Sequence, residues 1–427
     1  MKLGLSLLGI VAALLVGTYY SLFYNPQNAQ QQQMNQVWSQ FAQEIEALGE
    51  LVEDAPFNRD ERTAAEGYRH LARYLSSMIA KQTDHSNPSY PQFVRFPNSV
   101  ARIGWDNPDN PYLSAPVRGD HSYRIRGNVA NFDLVTFNVY SGMLGYTPMA
   151  DMRTISSIAS EDLEVDENGD FELILSAQKQ PGNWLALASD ADNVVIRRLV
   201  SNWQQSDEGS WEILNLTTLG TSAPLATPEE IAAQLTESVK MVRGVREVLT
   251  LAHRFLFQLK LEPNEVDVPA VGDPALPMSD PFQATTRAYF KLAEDEALLI
   301  EVPEVACKFT NIQLANPWME SLDYASRQSS LNNHTAHVNA DGIIRYVISQ
   351  QDPGVANWLD TAGYPEGSLF ARWTYCDSYP SELSASVVKL SDLGALLPSD
   401  TPPVNADQRA QVIAARQSAI SRRYGGG

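Results

Sequence analysis

Cysteine is nearly absent from this 427-residue chain, which contains only Cys307 and Cys376. Two cysteines exclude a disulfide-rich scaffold and any zinc site built from four thiolates. In an oxidising compartment they form one disulfide, and the alternative is a pair of buried free thiols. The two residues are therefore a candidate disulfide, and their number alone does not choose between the two states.

Positive charge is also scarce. The chain carries 31 Lys and Arg against 51 Asp and Glu, which gives a net charge of −20 at pH 7 and a pI near 4.7. The acidic residues are spread along the chain rather than gathered in one tail. A phosphate backbone would meet net repulsion, so we expect no nucleic-acid partner.

Familiar catalytic and metal-binding motifs are missing as well. The sequence has no G-x-S-x-G elbow, P-loop, H-E-x-x-H pair or Rossmann glycine pattern, so we expect no cofactor. His334 and His337 would point to opposite faces of a strand, and no third ligand accompanies them, so we expect no metal site. Residues 166–170, DENGD, are more typical of a hairpin turn than of a calcium loop.

Acidic residues near predicted strand or loop ends leave one enzymatic hypothesis open. Glycosidic chemistry needs only two carboxylates about 5–10 Å apart. A sequence does not give that distance, and solvent-exposed surface acids are the simpler interpretation. The candidates are Asp106, Asp109, Asp280, Glu294 and Asp295.

One long apolar run stands at the N-terminus. Residues 3–24, LGLSLLGIVAALLVGTYYSLFY, contain no charged residue. As a helix, about 22 residues span about 33 Å, enough to cross a bilayer. Lys2 precedes the run and no Lys or Arg follows before Arg59, which predicts a cytoplasmic N-terminus and a body in the periplasm or extracellular space. We expect residues 1–24 to be a single-pass transmembrane signal anchor, with a cleaved signal peptide as the alternative.

The rest of the chain exceeds the roughly 250–300 residues that one hydrophobic core usually holds, so we expect more than one domain. We divide it into five predicted segments. Thr227-Pro228-Glu229-Glu230 predicts the capped start of a long helix, and short alternating runs from about Trp105 predict strands. The segments are a polar stalk and helical neck (25–104), a first β-sandwich module (105–220), a helical connection (221–277), a second β-sandwich module (278–390) and a C-terminal helix and tail (391–427).

The two modules form an internal repeat. HSYRIRGNVANFDLVTFNVY (121–140) aligns with EALLIEVPEVACKFTNIQL (296–314), which places Ile125 on Ile300 and Asn138 on Asn311. DENGDFELILS (166–176) aligns with NADGIIRYVIS (339–349). The offset stays within about two residues of 174. The predicted fold is mainly β with added helices: tandem-duplicated antiparallel β-sandwich modules behind an N-terminal transmembrane helix and a helical neck.

Each copy of the repeat contains Asn-Trp-Leu after Pro-Gly, followed by an arginine. Tryptophan offers an apolar face and one N–H, and arginine can stack on an aromatic ring or bind an anion. One interpretation is a core staple, by which we mean a structural contact that stabilises the core of each module. The other is a ligand cleft between the modules. The candidate ligand-binding residues are Asn183, Trp184, Arg198, Asn357, Trp358 and Arg372.

Three segments resemble the DUF1214 family, a domain of unknown function often paired with DUF1254. They are PDNPYLSAPVRGDHSYRIRG (108–127), NADGIIRYVIS (339–349) and NWLDTAGYPEGSLFARW (357–373). The family usually has a tyrosine two positions after the closing arginine, where this chain has Thr374. The likeness covers most of residues 105–385, with the second module as the DUF1214-like unit. It implies a β-sandwich and no particular chemistry.

These features lead to three hypotheses for function. The first is a membrane-anchored extracytoplasmic protein that binds a small or oligomeric polar ligand between the modules, such as a glycan or a small amphipathic molecule. The second is a hydrolase or lyase that uses paired carboxylates on such a ligand. The third is a structural envelope protein whose helices mediate assembly. The sequence does not fix the ligand, the presence of catalysis or the oligomeric state.

Overall fold

The computed structural model describes residue 18 and residues 29–204, 208–255, 262–271 and 280–424. Apart from Thr18, the expected membrane anchor at residues 1–24 lies outside this described part. Within the described residues, no helix is both long and apolar enough to cross a membrane. The described chain is mainly β, with several sheets and a few helices.

Six α-helices lie in the described residues: α1 Ala29–Ala47, α2 Glu50–Glu53, α3 Glu61–Asp84, α4 Pro228–His253, α5 Leu393–Leu396 and α6 Ala406–Tyr424. In α4, Glu230 N donates to Thr227 Oγ1 and Thr227 N donates to the Glu230 carboxylate, which is the predicted capping box. The helical pattern of residues 58–81 predicts helix α3 with Asn58 as its N-cap, and this choice of cap is wrong. Asp60 caps this helix because its carboxylate accepts from Thr63 N.

The strands form two similar sets. The first module contains β1 Leu113–Pro116, β2 Tyr123–Asn128, β3 Leu134–Ser141, β4 Arg153–Ala159, β5 Asp170–Ser176, β6 Trp184–Ala186, β7 Asn193–Leu199 and β8 Glu212–Asn215. The second follows a short strand, β9 Ala270–Val271, and contains β10 Gln283–Lys291, β11 Glu296–Pro303, β12 Cys307–Ala315, β13 Ser330–Asn332, β14 Ile343–Ser349, β15 Trp358–Asp360, β16 Glu366–Cys376 and β17 Ser384–Lys389.

The strand order of the first module recurs in the second. The first has sheets β1-β7-β3-β4 and β6-β5-β2-β8. The second has sheets β10-β16-β12-β13 and β15-β14-β11-β17, with β9 added beside β10. Each module also has one parallel pair, β5 with β6 and β14 with β15, while the other neighbours are antiparallel. Every strand of the first module therefore has a counterpart in the second, which matches the repeat in the sequence.

Apolar side chains from both sheets of a module belong to one buried cluster. Ile125 of one sheet joins Phe137 and Ile196 of the other in the first module. Ile300 joins Ile312 in the same way in the second. Alternation along a strand sends every second side chain to the same face, so the four sheets each contribute one face to a core.

The helices of the predicted neck pack on the body of the protein. Helices α1, α3 and α4 share a buried cluster with Trp318 of the second module. The Trp318 Nε1–H donates to Thr63 O at 2.8 Å. Gly67 of α3 lies directly against this ring, because a Cβ there would be 2.3 Å from a ring carbon. The absence of a side chain at Gly67 is what lets the helix approach the indole.

Helix α6 contacts both modules through three arginines spaced seven residues apart, which share one helical face. Arg409 Nε donates to the Asp352 carboxylate of the second module at 2.8 Å. Arg423 Nη1 donates to Pro108 O of the first module at 2.7 Å. Arg416, between them, is also buried. The helix therefore joins the two modules.

Cys307 of β12 and Cys376 of β16 form a disulfide, with an Sγ–Sγ distance of 1.99 Å. The two residues are direct partners in the ladder between these strands. The bond connects positions 69 residues apart in the sequence, both within the second module.

Candidate functional site

The two tryptophans of the repeat fasten the short strands β6 and β15 to their neighbours. The Trp184 Nε1–H donates to Ser176 Oγ at 3.1 Å, and the Trp358 Nε1–H donates to Ser349 O at 3.2 Å. Ser176 ends β5 and Ser349 ends β14, the strands beside them. Each indole therefore makes the same hydrogen-bonded contact with the end of the neighbouring strand in its own module.

The two asparagines of the repeat complete the backbone hydrogen bonds of a neighbouring loop. Asn183 donates to Glu164 O at 2.7 Å and accepts from Glu164 N at 2.8 Å. Asn357 pairs in the same way with the backbone of His337, at 2.7 Å for each bond. These four contacts support the staple interpretation of the Asn-Trp pairs.

The two arginines of the repeat have different surroundings. Arg198 lies opposite Val135 in the ladder, on the face that points into the first module, and its guanidinium is 3.1 Å from the Glu208 carboxylate. Arg372 points to the other side of its sheet, toward the space between the modules. A shift of one residue along a strand exchanges its faces. On the face that matches Arg372, the first module carries Arg197.

A cavity of about 410 Å³ lies between the two modules and α4, and we call it the central cavity. Strands β7, β10 and β16 supply its polar side, together with the segment before β10. Helix α4 and the loop before β4 supply an apolar wall that includes Leu144, Met149, Met152, Val248, Leu249 and Ala252. Of the six candidate ligand-binding residues, only Arg372 lines the central cavity.

The first of three guanidiniums in the lining is held by a tyrosine and an aspartate. Arg197 Nη1 donates to Tyr140 Oη at 2.8 Å and lies 3.6 Å from Asp280 Oδ2. The same carboxylate accepts from Thr136 Oγ1 and from Phe282 N. Burial raises the pKa of Tyr140, so the phenol keeps its proton at neutral pH. The negative charge of Asp280 is therefore balanced by the positive charge of Arg197.

The second guanidinium has neutral partners. Arg372 Nη1 donates to Gln313 Oε1 at 2.8 Å and to Asn311 Oδ1 at 3.4 Å, and Nη2 donates to Trp105 O. No carboxylate oxygen of a described residue lies within 4.0 Å of it. Burial lowers the pKa of Arg372 to about 10, which still leaves the group charged at neutral pH.

The third guanidinium lies beside two stacked aromatic rings. Arg287 Cζ is 5.7 Å from the ring centroids of Trp105 and of Phe370. Burial lowers the pKa of Arg287 to about 10, again above neutral pH. The described lining thus holds three guanidiniums and one carboxylate, that of Asp280. The central cavity is positively charged inside a protein whose net charge is −20.

Three of the five candidate acids are buried, which corrects the expectation that they are solvent-exposed: Asp106, Asp109 and Asp280. Glu294 and Asp295 are exposed. Burial raises the pKa of Asp106 to about 6, and Ser321 Oγ donates to its carboxylate at 2.8 Å. Only Asp280 of the five lines the central cavity, with no second carboxylate from a described residue. Paired-carboxylate chemistry gains no support there.

Metal-binding side chains do not cluster in the described part of the chain. No group of three or more His, Cys, Asp or Glu residues there could hold a metal ion. His334 and His337 lie in the loop between β13 and β14, and the backbone of His337 is bonded to Asn357.

The sequence did not single out Arg197, Arg287 or Gln313 as site residues. Arg197 adjoins Arg198, and only the strand register decides which of the two faces the central cavity. The sequence of β3 contained a signal, because the polar residues Thr136 and Asn138 alternate there with apolar neighbours. The structure shows that all eight residues of this strand are buried. A polar set on one face of a fully buried strand indicates a second, polar interface.

Comparisons with known proteins agree with the resemblance noted in the sequence. The model of a family described as protein of unknown function (DUF1214) matches residues 112–202, within the first module. It overlaps the segment at 108–127, while the other two resembling segments lie in the second module. The match thus lies in the first module, whereas the sequence suggested the second module as the DUF1214-like unit. A search of curated proteins finds no match.

The solved structures that are similar to this chain include proteins from two organisms. One, an uncharacterised protein from Burkholderia cenocepacia, is 30% identical, aligns over 83% of this chain and 97% of that one, and has a TM-score of 0.75. The other, the VPA0106 protein from Vibrio parahaemolyticus, is 13% identical over 79% of this chain and 99% of that one, with a TM-score of 0.44. The family match and the likeness to the Burkholderia protein show that the chain belongs to the DUF1214 family, whose function is unknown.

Proposed function

We propose that this protein binds a small amphipathic anion in the central cavity. The observation that carries the proposal is the lining, where three guanidiniums and one carboxylate face an apolar wall. Positive charge on one side and hydrocarbon on the other fit a molecule with an anionic head and an apolar body. Of the ligands expected from the sequence, this proposal selects the small amphipathic molecule and adds that it is an anion. The Asn-Trp pairs take no part in binding it.

The anionic head is proposed to bind Arg372. The hydrogen-bond partners of this guanidinium among the described residues are neutral oxygens, and the carboxylates of Asp106 and Asp109 act on it only through space, so a ligand anion would give its buried charge a direct partner. A guanidinium has five N–H donors, and the existing bonds use at most three of them. A carboxylate or phosphate accepts such donors in charge-assisted bonds.

The apolar body is proposed to lie along α4. Val248, Leu249 and Ala252 face the central cavity from the helix, and Met149 and Met152 face it from the loop before β4. Unbranched methionine side chains adapt to ligands of different shape. Each buried methylene of a ligand contributes about 0.8 kcal/mol. This wall therefore favours a hydrocarbon chain over a fully polar molecule.

A glycan has less support than an amphipathic anion. Trp105, the tryptophan of the central cavity, is only 3% exposed, and its Nε1–H donates to Ser368 Oγ at 2.8 Å. Trp184 and Trp358, expected as stacking platforms, are used in strand contacts. The rings that a sugar would stack on are thus already engaged.

Calorimetric titration of the full-length protein with decanoate and 1-decanol tests the proposal, since the two ligands share one tail. Decanoate should bind about tenfold tighter or more, because its head pairs with a buried cation. Arg372→Met should weaken decanoate binding by about tenfold or more and change 1-decanol binding little, while Arg372→Lys keeps the charge and part of the affinity. Arg153→Met removes an exposed arginine and is the matched control. Equal decanoate affinity in Arg372→Met and the unmodified protein would contradict the proposal.

We also propose that each pair of sheets closes as a β-sandwich. The support is the shared apolar cluster in each module, to which both sheets contribute side chains. Two sheets that cover one core with their inner faces are the usual arrangement for antiparallel sheets with alternating patterns.

The location proposed for the protein is outside the cytoplasm, attached to the membrane by residues 3–24. The support is the uncharged run itself and the placement of Lys2 before it. Alkaline carbonate extraction followed by N-terminal sequencing tests this. A chain that starts at Met1 and stays in the membrane pellet supports an uncleaved anchor, whereas an intact but extractable chain contradicts it.

A further inference from the structure

The second module contains a cavity within its own core. This cavity has a volume of about 250 Å³ and is lined from both sheets of the module, by β10, β12 and β16 on one side and β11 and β14 on the other. We call it the inner cavity. It lies on the core side of the β10-β16-β12 sheet, whereas the central cavity lies on the opposite side.

Aromatic rings fill the corresponding space of the first module. The ring centroids of Phe137 and Phe171 are 5.2 Å apart, and those of Phe171 and Trp211 are 5.5 Å apart. Phe171 is opposite Gly127 in the β2–β5 ladder. The Trp211 ring lies over Gly127, since a Cβ there would be 2.7 Å from a carbon of that ring. Glycine at this position makes room for the indole.

The second module carries smaller side chains in place of the two rings and a larger one in place of the glycine. Ile344 is opposite Val302 in the β11–β14 ladder, as Phe171 is opposite Gly127 in the first module. Leu383 directly precedes β17, as Trp211 precedes β8. Ile344 and Leu383 thus replace Phe171 and Trp211, and both line the inner cavity together with Val302, which replaces Gly127. The space left by the missing rings is open.

A tyrosine of β14 lines the inner cavity. The Tyr346 side chain is 6% exposed, no hydrogen bond joins its hydroxyl to a described residue, and the hydroxyl oxygen itself is accessible from the cavity. Burial raises the pKa of Tyr346, so the hydroxyl remains a donor at neutral pH. A hydroxyl that is open to a cavity and makes no bond within the protein is available to a molecule in that cavity. The Tyr346 hydroxyl can therefore donate to a ligand of the inner cavity.

We propose that the inner cavity binds an uncharged, mainly apolar molecule with one oxygen atom that accepts a hydrogen bond from Tyr346, such as an alcohol, aldehyde or ketone. Apolar cavities of about 150 Å³ in proteins hold a benzene ring, so the volume is sufficient for a substituted ring. The ligand is uncharged because the two charged residues in the lining are otherwise placed: Glu304 is exposed, and the Arg372 guanidinium bonds on the opposite side of its sheet. This inference is independent of the function proposed for the central cavity.

Crystals of the full-length protein under xenon pressure locate the site directly. Xenon should bind between the two sheets of the second module, close to Ile344 and Leu383. The space around Phe171 and Trp211 in the first module is the internal control and should remain free of xenon. Ordered water filling the inner cavity, or no xenon there, would overturn the proposal.

Two ligands of similar shape separate the apolar part of the site from its polar part. Benzyl alcohol and ethylbenzene are titrated by calorimetry into the unmodified protein and into Tyr346→Phe. The variant should bind benzyl alcohol about three- to tenfold more weakly and ethylbenzene equally well, because only the hydrogen bond is lost. Equal loss for both ligands, or for neither, contradicts the role of the hydroxyl.

A larger side chain in the inner cavity tests, in solution, whether the ligand binds there. Ile344→Phe introduces the residue that the first module has at Phe171, and it should reduce benzyl alcohol binding by about tenfold or more while leaving decanoate binding unchanged. Loss of both ligands would mean a general effect on the fold, and the xenon crystals then decide. Benzyl alcohol binding that survives in a folded Ile344→Phe variant overturns the proposal.

Discussion

Arg197 of the first module and Asp280 at the start of the second module form an ion pair across the module boundary, with Nη1 3.6 Å from Oδ2. Thr136 donates to the same carboxylate oxygen, and Tyr140 accepts from the same guanidinium. The pair lies in the lining of the central cavity. The ion pair of Arg197 and Asp280 therefore contributes to the charge of the central cavity and also connects the two modules.

Asp280→Asn should lower stability and strengthen anion binding. The change removes the charge opposite Arg197, which should reduce the free energy of unfolding by about 1–3 kcal/mol. It also removes the carboxylate that repels a ligand anion, so decanoate affinity should rise several-fold. Urea denaturation and calorimetry measure the two effects. Thr136→Val is the control, since it weakens the fold without changing the charge. A variant that loses both stability and affinity would show that Asp280 positions the site rather than opposing the anion.

Gly67→Ala should destabilise the protein by about 1–3 kcal/mol. The new Cβ would come within 2.3 Å of the Trp318 ring, so α3 has to move away from the indole that it covers. Gly394→Ala in α5 is the matched control, because a Cβ there meets nothing within 4 Å. Thermal unfolding of both variants, followed by near-ultraviolet circular dichroism of the tryptophans, measures the effect. Equal melting temperatures for the two variants would exclude this tight helix contact.

His253 should make the protein less stable as the pH falls from about 6.5 to about 4. Burial, with the positive charges of Arg246 and Arg59, lowers the pKa of His253 to about 4. The unfolded chain binds a proton in this window that the folded chain does not, since a free histidine has a pKa of about 6.5. The contribution is complete above pH 6.5 and is lost toward pH 4, at a cost of about 2–3 kcal/mol.

The matched variant for this pH effect is His253→Gln, which cannot titrate. A variant is needed because Asp106, whose pKa is raised to about 6, acts in the opposite sense: its contribution is lost as the pH rises from about 3.8 to about 6. The difference in unfolding free energy between the two proteins, measured in urea at several pH values, isolates the histidine. A difference that is the same at pH 4.5 and at pH 7 rules out the assigned role.

Reduction of the disulfide should destabilise the protein by about 3–4 kcal/mol, because the bond closes a loop with a sequence separation of 69 residues. Scanning calorimetry with and without a strong reductant measures the change. The double variant Cys307→Ser, Cys376→Ser should melt like the reduced protein and should no longer respond to reductant. An unchanged melting temperature on complete reduction contradicts the prediction.

The predictable part of the fold depended on local signals. The capping box at Thr227 and Glu230 and the alternating runs around Ile125 and Ile300 identify elements because they reflect contacts within a few residues. The pairing of β5 with β6 could not be seen, since a parallel contact between short strands leaves little pattern. Asn58 was preferred to Asp60 as a helix cap because both are good capping residues, and only the backbone path distinguishes them.

The site was harder to predict because it depends on which face of a strand turns toward the second module. Arg198 and Arg372 occupy aligned positions in the sequence, yet one points into a core and the other into the central cavity. Bulges and one-residue offsets between repeats change the face without changing the pattern, as between Val139 and Tyr140 in β3. Asp280 becomes a neighbour of Arg197 only when the two modules are docked.

The arginine face of α6 has a consequence for the order of assembly. Arg409 and Arg423 reach different modules, and α6 follows both of them in the chain. The contacts of these two arginines can therefore form only after the strands of both modules are present in the chain. Fastening of the modules by α6 is thus a late event in the formation of the fold.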